Sequence, residues 1–314
     1  MNIIIFGAAG FIGTNLVLQL AQDKNLNITL YDRNLMLFKN IKNFGLENLQ
    51  YVCGEFRIDT NFDELVRDQD IIFNLVSTTV PTTSNQCIPD ELAANIVVMA
   101  KLLEACVKNK VKKVIFPSSG GTVYGKEKEM PLKEDTTTYP ITAYGLQKIT
   151  IEKLLYLYRY IYGLDYRVIR LANPYGPYQN PNGVLGAVTT FIYKALIGQE
   201  ITVYGDGSVV RDFIYIDDAV RGILNITNQE HQQRTFNLGC GYGISIRKVI
   251  ETIQEILKIR LNINYIEGRK VDVPENYLDI SLYENTFGKL DPIPLSIGIE
   301  KTVYFMRKVY HTKY

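Results

Sequence analysis

The sequence predicts an α/β fold, a doubly wound parallel sheet followed by a smaller C-terminal α/β domain. Short apolar runs of strand length alternate with amphipathic helical patterns through the first half of the chain. A glycine-rich turn joins the first apolar run to the first helical segment. Past Asn173 the alternation gives way to loops rich in proline and glycine, so we place the boundary between domains 1–173 and 174–314 there.

Apolar runs bounded by turn residues define the strands of the first domain. In chain order these are Asn2–Phe6, Ile28–Tyr31, Tyr51–Val52, Ile71–Leu75, Val114–Pro117 and Tyr166–Leu171. Helical patterns separate several of them and cover Phe11–Gln22, Glu91–Asn109 and Tyr144–Tyr162. Strands that alternate with helices at this spacing form a parallel sheet through right-handed crossovers.

The third of these helices carries a run of large apolar side chains, LLYLYRYIY at 154–162. We interpret it as a helix that is buried on most sides. A helix that is apolar on all sides can also bury one face against a second subunit. For this reason a homodimer is the expected assembly.

Composition excludes several classes of function. The 314 residues are 46% hydrophobic and 21% charged with a formal charge of +1, so nothing steers the protein toward nucleic acid or a membrane surface. No apolar run reaches the roughly 18 residues that span a bilayer. Met1 leads at once into a strand, without the basic region of a signal peptide. We therefore expect a cytoplasmic protein.

Cysteine and histidine are too sparse for a metal site or a hydrolytic triad. None of the four cysteines has CxxC spacing, and the two histidines are His231 and His311. Neither a zinc site nor a Ser-His-Asp triad is expected. Any proton transfer must use tyrosine, lysine or carboxylates.

A glycine triplet, Gly7, Gly10 and Gly13, lies between the first strand and the first helix. Glycine permits a tight turn and lets a pyrophosphate reach the helix N-terminus. Asp32 ends the second strand 19 residues after Gly13, near the spacing of about 20 for the ribose-binding carboxylate of a Rossmann domain. A carboxylate there repels a 2′-phosphate and favours NAD, whereas the adjacent Arg33 leaves NADP open.

Tyr144 and Lys148 form a YxxxK pair, and their spacing places both side chains on one face of the third helix. A free tyrosine has a pKa near ~10, too high for a base at neutral pH. A lysine cation and a positive nicotinamide ring both favour the phenolate, and lowering the pKa by about three units takes roughly 4 kcal/mol. We interpret the pair as an acid–base centre; a simple surface contact is the alternative.

Four motifs together resemble one family: GAAGFIG, SSGGTVYG, YGLQK and VYGDGSVVRDFIYIDD. Over nearly its whole length the chain resembles the extended short-chain dehydrogenase/reductases, specifically the UDP-glucose 4-epimerase-like enzymes. No one motif is specific, but the set is. The resemblance implies a Rossmann domain that binds NAD and a second domain that binds a nucleotide sugar.

The resemblance implies roles around the cofactor. Tyr144 would be the acid/base and Lys148 would hold the nicotinamide ribose. The other residues expected at NAD are Gly7, Gly10, Phe11, Ile12, Gly13, Asp32, Glu55, Phe56, Leu75, Val76, Ser77, Asn95 and Ser118. Among them, positions 11–12 would approach the pyrophosphate and positions 55–56 the adenine. The family's His-Leu-Ala-Ala strand end reads NLVS here, at 74–77.

The resemblance also implies residues for the nucleotide sugar. Asn173 would touch the substrate, and Tyr204 would pack near the base. Arg211 and Arg269 would clamp the diphosphate, a task that suits the forked donors of guanidinium. Asn276 occupies the position that governs entry of an N-acetyl group and is smaller than the tyrosine of strict glucose/galactose enzymes. We therefore expect N-acetylhexosamines to be tolerated.

The family's catalytic serine or threonine falls on Gly120 in this sequence. We expect Thr122 to supply the missing hydroxyl at the substrate, with Ser118 or Ser119 as fallbacks, because side chains two apart on an extended chain share a face. Related dehydratases carry an Asp-Glu pair where this chain has Gly121 and Thr122, and related decarboxylases carry a glutamate there. Neither dehydration nor decarboxylation is therefore expected.

What remains is hydride transfer with one proton shuttle. The chain is expected to invert C4 of a UDP-hexose, UDP-glucose/UDP-galactose or their N-acetylated forms, through a transient 4-keto sugar. Gly120 and Gly121 would leave the hexose room to turn. The alternatives are an NAD(P)H-dependent nucleotide-sugar reductase and a non-catalytic NAD-binding regulator. The resemblance also implies a role in surface polysaccharide synthesis.

Overall fold

The computed structural model shows alternating strands and helices and describes residues 1–77, 81, 84–126, 129–183, 185–268 and 273–310. The strands are β1 (Asn2–Phe6), β2 (Asn27–Asp32), β3 (Leu49–Cys53), β4 (Ile71–Asn74), β5 (Lys113–Ser119), β6 (Asp165–Leu171), β7 (Asn173–Tyr175), β8 (Ile201–Tyr204), β9 (Val210–Arg211), β10 (Phe213–Tyr215), β11 (Thr235–Leu238), β12 (Ile244–Ser245), β13 (Ile263–Ile266) and β14 (Glu275–Asn276). The helices are α1 (Phe11–Leu20), α2 (Lys39–Lys42), α3 (Phe62–Leu65), α4 (Ile88–Leu92), α5 (Val98–Lys108), α6 (Ala143–Tyr162), α7 (Ala187–Ile197), α8 (Ile216–Asn228), α9 (Ile246–Leu257), α10 (Ser281–Phe287) and α11 (Leu295–Tyr310). A 3₁₀ turn, Leu35–Phe38, precedes α2, and a π-helical segment, Ala93–Val97, joins α4 to α5.

Seven parallel strands form the main sheet, in the order β11-β6-β5-β4-β1-β2-β3. The order changes direction between β1 and β4, which is the switch point of a doubly wound sheet, and ligands bind beyond the carboxyl ends of the strands at such a point. The predicted fold class is confirmed. All six predicted strands belong to this sheet, with ends that differ from the prediction by no more than two residues.

The central strand β1 is buried on both faces. Ile3 and Ile5 belong to one apolar cluster, and Ile4 and Phe6 belong to the other. All four are at most 1% exposed. Since side chains alternate across a strand, two covered faces require an unbroken apolar run rather than alternation with polar residues. This is why the run at the start of the chain predicts its strand so well.

The seventh strand comes from beyond the predicted first domain. β11 pairs in parallel with β6, where Phe236 lies beside the equally buried Ile169. α8 precedes β11 and packs against α1 and β6. The division at residue 173 therefore does not coincide with the end of the sheet. The strand was missed because it is four residues long and its sequence, TFNL, carries the polar Asn237.

Strands that follow β6 in the chain form smaller sheets: β10-β7, β12-β9-β14 and β13-β8. In the second of these, β9 and β14 place Arg211 beside Asn276. The segment after β5 reaches the same region, because Leu132 forms a bridge with Leu278 and its N–H donates to the Tyr277 carbonyl at 3.0 Å. The loop that follows the SSGGTVYG stretch thus packs directly on the strand that carries Asn276.

Helix α6 begins at a Thr142 side-chain cap and ends at Gly163, which adopts a left-handed conformation. Its last turns are not buried as expected: Tyr156, Tyr160 and Ile161 are 59%, 79% and 55% exposed. The prediction of a helix buried on most sides is wrong, because its apolar residues extend around the helix beyond the stripe that contacts the sheet. Neither α6 nor any other helix of the described ranges is long and apolar enough to cross a bilayer.

Candidate active site

The turn between β1 and α1 allows close approach of the backbone. Gly7 has a φ of +79°, and its N–H donates to the Tyr31 carbonyl at 2.9 Å. A Cβ on Gly13 would lie 2.4 Å from the Gly7 carbonyl oxygen, so only glycine lets α1 pack this near to the turn. The helix begins after Gly10 without a side-chain cap. An uncapped helix N-terminus of this kind suits a pyrophosphate.

Asp32 and the segment after β4 adjoin this turn. The Asp32 Oδ2 accepts a hydrogen bond from the Ala9 N–H at 2.9 Å. A Cβ on Gly7 would lie 3.2 Å from backbone atoms of both Leu75 and Val76. The structure therefore brings the glycine turn, the acidic end of β2 and the end of β4 together at the switch point of the sheet.

The remaining residues predicted at the adenosine end have mixed surroundings. Phe11 and Ile12 form the first turn of α1 and are half-buried against the core. Glu55 is exposed, and its carbonyl accepts a hydrogen bond from the Tyr31 hydroxyl at 3.0 Å. Phe56 packs edge-on against two phenylalanine rings, at centroid distances of 5.3 and 5.0 Å. An open depression of about 490 Å³, lined partly by Glu55, lies beside it.

Tyr144 and Lys148 lie on the first two turns of α6, near the carboxyl end of β5. The Lys148 Nζ donates to the Pro117 carbonyl at 3.0 Å. The same atom is 4.6 Å from the ring centroid of Phe116 and 5.6 Å from that of Tyr144. The Tyr144 hydroxyl is hydrogen-bonded to Ser77, just beyond β4. The predicted pair is thus placed together, beside the ends of two neighbouring strands.

Burial controls the proton affinities of this pair. It raises the pKa of Tyr144 to about 12, and the hydrogen bond with Ser77 opposes that rise. Burial lowers the pKa of Lys148 to about 8, while the negative charge of Glu152 opposes that fall. In the protein alone, loss of solvation outweighs the neighbouring groups, and the lowering of the tyrosine pKa by Lys148 together with the nicotinamide ring stays a prediction.

Thr122 carries a buried hydroxyl without a hydrogen-bond partner in the described part of the chain. Its carbonyl oxygen lies against the first turn of α6, since a Cβ on Gly145 would be 2.6 Å from it. Leaving a buried hydroxyl unpaired costs about 1–3 kcal/mol, so such a group calls for an explanation. A bound substrate that completes the hydrogen bond would provide one.

The two glycines of the SSGGTVYG stretch face different surroundings. A Cβ on Gly120 would lie 2.5 Å from the Leu278 side chain and 3.2 Å from the Arg170 carbonyl, so a serine there would collide with packed atoms. Among the described residues, a Cβ on Gly121 would meet only Asn173 Oδ1 within about 4 Å, at 3.9 Å. The expectation that both glycines leave room is therefore wrong for Gly120, which is closed by packing. The open space lies at Gly121.

Several other predicted side chains make contacts within the protein. The Ser118 hydroxyl donates to Glu152 at 2.5 Å, and the residue is 5% exposed. The expectation that Ser118 could replace the family hydroxyl is wrong for this reason. Ser119 ends β5 and is half-buried. Asn95, in the π-helical segment, is 8% exposed and donates to the Glu91 carbonyl at 2.8 Å.

Three residues predicted at the sugar nucleotide lie near one another. Asn173 donates through its N–H and its Nδ2 to the Asp212 carbonyl, at 3.0 and 2.9 Å. The Arg211 Nη1 donates to two backbone carbonyls, at 2.8 and 2.7 Å. Asn276 is 2% exposed, lies beside Arg211 in the sheet, and has its Nδ2 3.4 Å from the Gly120 carbonyl.

The last two predicted substrate residues belong to the segments around β8 and β13. Tyr204 ends β8, is paired with Ile266, and is 43% exposed. That exposure leaves its ring accessible to a nucleotide base. Arg269 lies outside the described residues, so its predicted clamp with Arg211 stays a prediction.

A sequence profile of the NAD dependent epimerase/dehydratase family matches residues 3–239. The chain belongs to this family. The resemblance identified from the motifs is thereby confirmed, and NAD is the family's cofactor. The site fits NAD, because the tight glycine turn, the uncapped end of α1 and the Asp32 carboxylate lie at the switch point.

Several similar members of the epimerase/dehydratase family are enzymes of UDP-sugars. The UDP-glucose 4-epimerase of Mycolicibacterium smegmatis is 30% identical over 310 residues, which cover 98% of this chain and 99% of that protein. A Thermotoga maritima UDP-glucose 4-epimerase solved with UDP-glucose has a TM-score of 0.91 and 30% identity, covering 99% of this chain and 100% of that one. A Bacillus cereus UDP-glucuronic acid 4-epimerase solved with UDP-glucuronic acid and NAD has a TM-score of 0.89 and 27% identity, covering 99% and 100%.

Asp212 is a buried group that the sequence analysis did not identify. It is fully buried, and its Oδ1 accepts a hydrogen bond from the Cys240 N–H at 2.7 Å. Burial raises the pKa of this carboxyl to about 6. Its carbonyl also holds Asn173, so the residue fixes the junction between the sheet and the substrate side. The sequence feature that could have identified Asp212 is its position next to Arg211, within the RDF motif.

Proposed function

We propose that this enzyme inverts C4 of a UDP-hexose through a transient 4-keto sugar. The observation that carries the proposal is the grouping of Tyr144 and Lys148 with the unpaired hydroxyl of Thr122, at the carboxyl end of β5. Neither Thr122 nor Gly121 can protonate a leaving group, which disfavours elimination of a sugar hydroxyl. The 4-epimerase names of similar family members support the same reaction.

The residues expected to hold NAD lie along the switch point. The Gly7–Gly13 turn and the first turn of α1 would receive the pyrophosphate, and Asp32 the adenosine ribose. Lys148 would hold the nicotinamide ribose. When bound, NAD supplies an acceptor for the C4 hydride that also returns it, so the reaction needs no added reductant.

Proton transfer is assigned to Tyr144, which takes the proton of the sugar 4-OH and later gives it back. Since burial raises its pKa to about 12, the phenol requires nearby positive charge to ionise at neutral pH. Lys148 and the oxidised nicotinamide ring are the expected sources of that charge. Thr122 would bridge the 4-OH and the phenol, because its hydroxyl is otherwise unpaired in the described structure.

The sugar must turn over while its nucleotide stays fixed. Arg211, together with Arg269, is proposed to hold the diphosphate, and Tyr204 to pack near the base. The hexose would turn in the space beside Gly121, where an added Cβ would lie 3.9 Å from Asn173 Oδ1, its nearest contact in the described part of the chain. Asn276 is proposed to admit an N-acetyl group, since it presents less bulk than a tyrosine.

The deciding experiment incubates purified protein with UDP-glucose or UDP-N-acetylglucosamine, without added cofactor, and follows the sugar signals by NMR. The C4 epimer is expected from each substrate. Tyr144→Phe is expected to abolish both conversions. Failure with the N-acetylated sugar alone would contradict the role of Asn276. Absence of any epimer, with steady loss of absorbance at about 340 nm when NADH or NADPH is added, would instead support a reductase.

We further propose that the exposed end of α6 contacts a second copy of the chain. Tyr156, Tyr160 and Ile161 are exposed on this helix, and the rings of Tyr156 and Tyr160 stack with their centroids 6.4 Å apart. Exposed apolar surface of this kind is typical of an interface. A homodimer would bury it.

A further inference from the structure

A buried ion pair lies one helical turn beyond the lysine of the active site. Glu152 on α6 and Arg170 on β6 are each 5% exposed. The Arg170 Nη2 donates to the Glu152 Oε2 at 2.8 Å, and its Nε lies 3.2 Å from both carboxylate oxygens. The Ser118 hydroxyl donates to the Oε1 at 2.5 Å. The carboxylate is therefore held from two strands at once.

The arginine of this pair is fixed in turn by the loop after β5. Its Nη1 donates to the Tyr124 hydroxyl at 3.0 Å and to the Glu134 carbonyl at 2.9 Å. The Tyr124 hydroxyl donates to Asn237 Oδ1 at 2.6 Å, on β11. A buried charge with this many partners has little freedom to move. The Glu152 carboxylate consequently has a fixed position relative to the end of β5.

Lys148 and Glu152 contact adjacent residues of that strand end. The Lys148 Nζ donates to the Pro117 carbonyl, and Glu152 accepts from Ser118, the next residue. Residues four apart on a helix share a face, so Lys148 and Glu152 both face the end of β5. Tyr144, one turn earlier, places its ring centroid 5.6 Å from the ammonium.

Other charged groups are present on the elements that pack against α6. On β6 the nearest is Arg170, which is paired with Glu152. Helices α4 and α5 also contact α6, and their charged side chains are Asp90, Glu91, Lys101, Glu104 and Lys108. Among all of these, Glu152 is the charge that opposes the fall in the pKa of Lys148 caused by burial.

We propose that Glu152 is a positioning residue of this enzyme, which keeps Lys148 charged and held against the end of β5. The carboxylate would act through Lys148 and not on a ligand, since its oxygens are held by Arg170 and Ser118. Burial lowers the pKa of Lys148 to about 8, and without the opposing charge of Glu152 the amine would lose its proton at a lower pH. The importance of this for catalysis rests on the proposed function, in which Lys148 supports the phenolate of Tyr144.

The test is a titration of the Lys148 amine by NMR on protein labelled at lysine, with the signal assigned by its loss in Lys148→Arg. In Glu152→Gln, which preserves the side-chain shape, the midpoint is expected to fall by about one pH unit. Glu134→Gln is the matched control. Glu134 belongs to the same buried network, where its Oε1 accepts from the Asn237 N–H at 2.8 Å, so its loss should leave the Lys148 midpoint unchanged.

Activity provides a second measurement. In Glu152→Gln the alkaline limb of the pH profile for kcat is expected to move to lower pH together with the Lys148 midpoint. An unchanged midpoint in Glu152→Gln overturns the proposal, as does an equal shift in Glu134→Gln. If Glu152→Gln does not fold, Glu152→Asp replaces it, because the shorter side chain moves the negative charge away from Lys148. An unchanged Lys148 midpoint in Glu152→Asp would also overturn the proposal. The titration needs no substrate, so its result does not depend on whether the protein is an epimerase.

Discussion

The hydroxyl of Thr122 is the single group, after the Tyr144 phenol, on which turnover should depend most. Its oxygen is buried and unpaired within the described residues, beside the first turn of α6. We expect Thr122→Val, which keeps the shape of the side chain, to lower kcat at least about tenfold, the scale of one hydrogen bond at a reacting centre. Steady-state kinetics with UDP-glucose measure the effect.

Thr150→Val is the matched control for this substitution. The Thr150 hydroxyl donates to the Leu146 carbonyl within α6, at 2.8 Å, and belongs to no part of the proposed site. Its kcat should match that of the unaltered enzyme. Equal kcat in Thr122→Val would exclude Thr122 from the mechanism and leave Ser119 as the remaining candidate hydroxyl of the stretch.

The raised pKa of Asp212 predicts that the free energy of unfolding depends on pH. Burial raises its pKa from 3.8 to about 6, so the folded protein binds this proton more tightly than the unfolded chain. Protonation therefore favours the folded state: the gain begins as pH falls through about 6 and is complete below about 4. Relative to Asp212→Asn, the unaltered protein should gain about 2–3 kcal/mol in free energy of unfolding between pH 7 and pH 4. Urea titrations of both proteins test this, and parallel pH curves would contradict it.

Sequence reasoning found the residues whose signal is local and missed those whose partners are distant. Tyr144 and Lys148 are four residues apart on one helix, so their spacing alone places them together. The Ser77 contact with Tyr144 and the pairing of Glu152 with Arg170 join different elements. No periodic pattern encodes such a pair, because it depends on how helix and sheet dock.

At the level of whole elements, the docking of α1 on β1 depends on Gly13. An added methyl would lie 2.4 Å from the Gly7 carbonyl and 2.7 Å from the Ala8 carbonyl, both of them backbone atoms that cannot rotate away. We expect Gly13→Ala to displace the helix and to lower the free energy of unfolding by about 1–3 kcal/mol. The variant protein should also contain no NAD after purification. Thermal unfolding and cofactor content of the purified protein measure both effects.

Gly10→Ala provides a graded comparison for this prediction. Its added methyl would meet the Gly7 carbonyl at 3.2 Å, a contact that a small shift can relieve. The loss of stability should be clearly smaller than in Gly13→Ala. If the two variants were equally stable, the tight contact between α1 and the turn would not control the docking of the helix.

The elements that the sequence predicted correctly are those with a strong single pattern. β1 is an unbroken apolar run buried on both faces, and α6 has a threonine cap and a closing glycine. β11 has four residues, and the π-helical segment inside the α4–α5 region leaves no mark on hydrophobic periodicity. The existence of β11 follows from its pairing with β6.

For the whole molecule, the exposed end of α6 predicts the state of assembly. Tyr160 is 79% exposed and Tyr156 is 59% exposed, with ring centroids 6.4 Å apart. If a second copy covers these rings, Tyr160→Lys should convert a dimer into a monomer, because a buried ammonium without a partner is strongly unfavourable. Light scattering during size-exclusion chromatography at micromolar concentration measures the mass.

Tyr304→Lys controls for the loss of an exposed ring elsewhere. Tyr304 lies on α11 and is 63% exposed. That variant should elute with the unaltered mass. A monomeric unaltered protein would contradict the homodimer directly.

The burial of α6 was predicted wrongly for a related reason. A helix with apolar residues around its whole circumference has the same sequence pattern whether it packs against its own chain or against another one.

β11 lies far beyond β6 in the chain, and this separation affects how the protein folds during synthesis. A nascent chain must leave the ribosome beyond Leu238 before β6 acquires its outer neighbour. Until then the strand presents an open edge of buried-type residues, including Val168 and Ile169, to any other chain nearby. A fragment ending at Asn173 would keep that edge permanently and is expected to aggregate. The interval of synthesis between these two strands is therefore the period in which the growing chain exposes this edge.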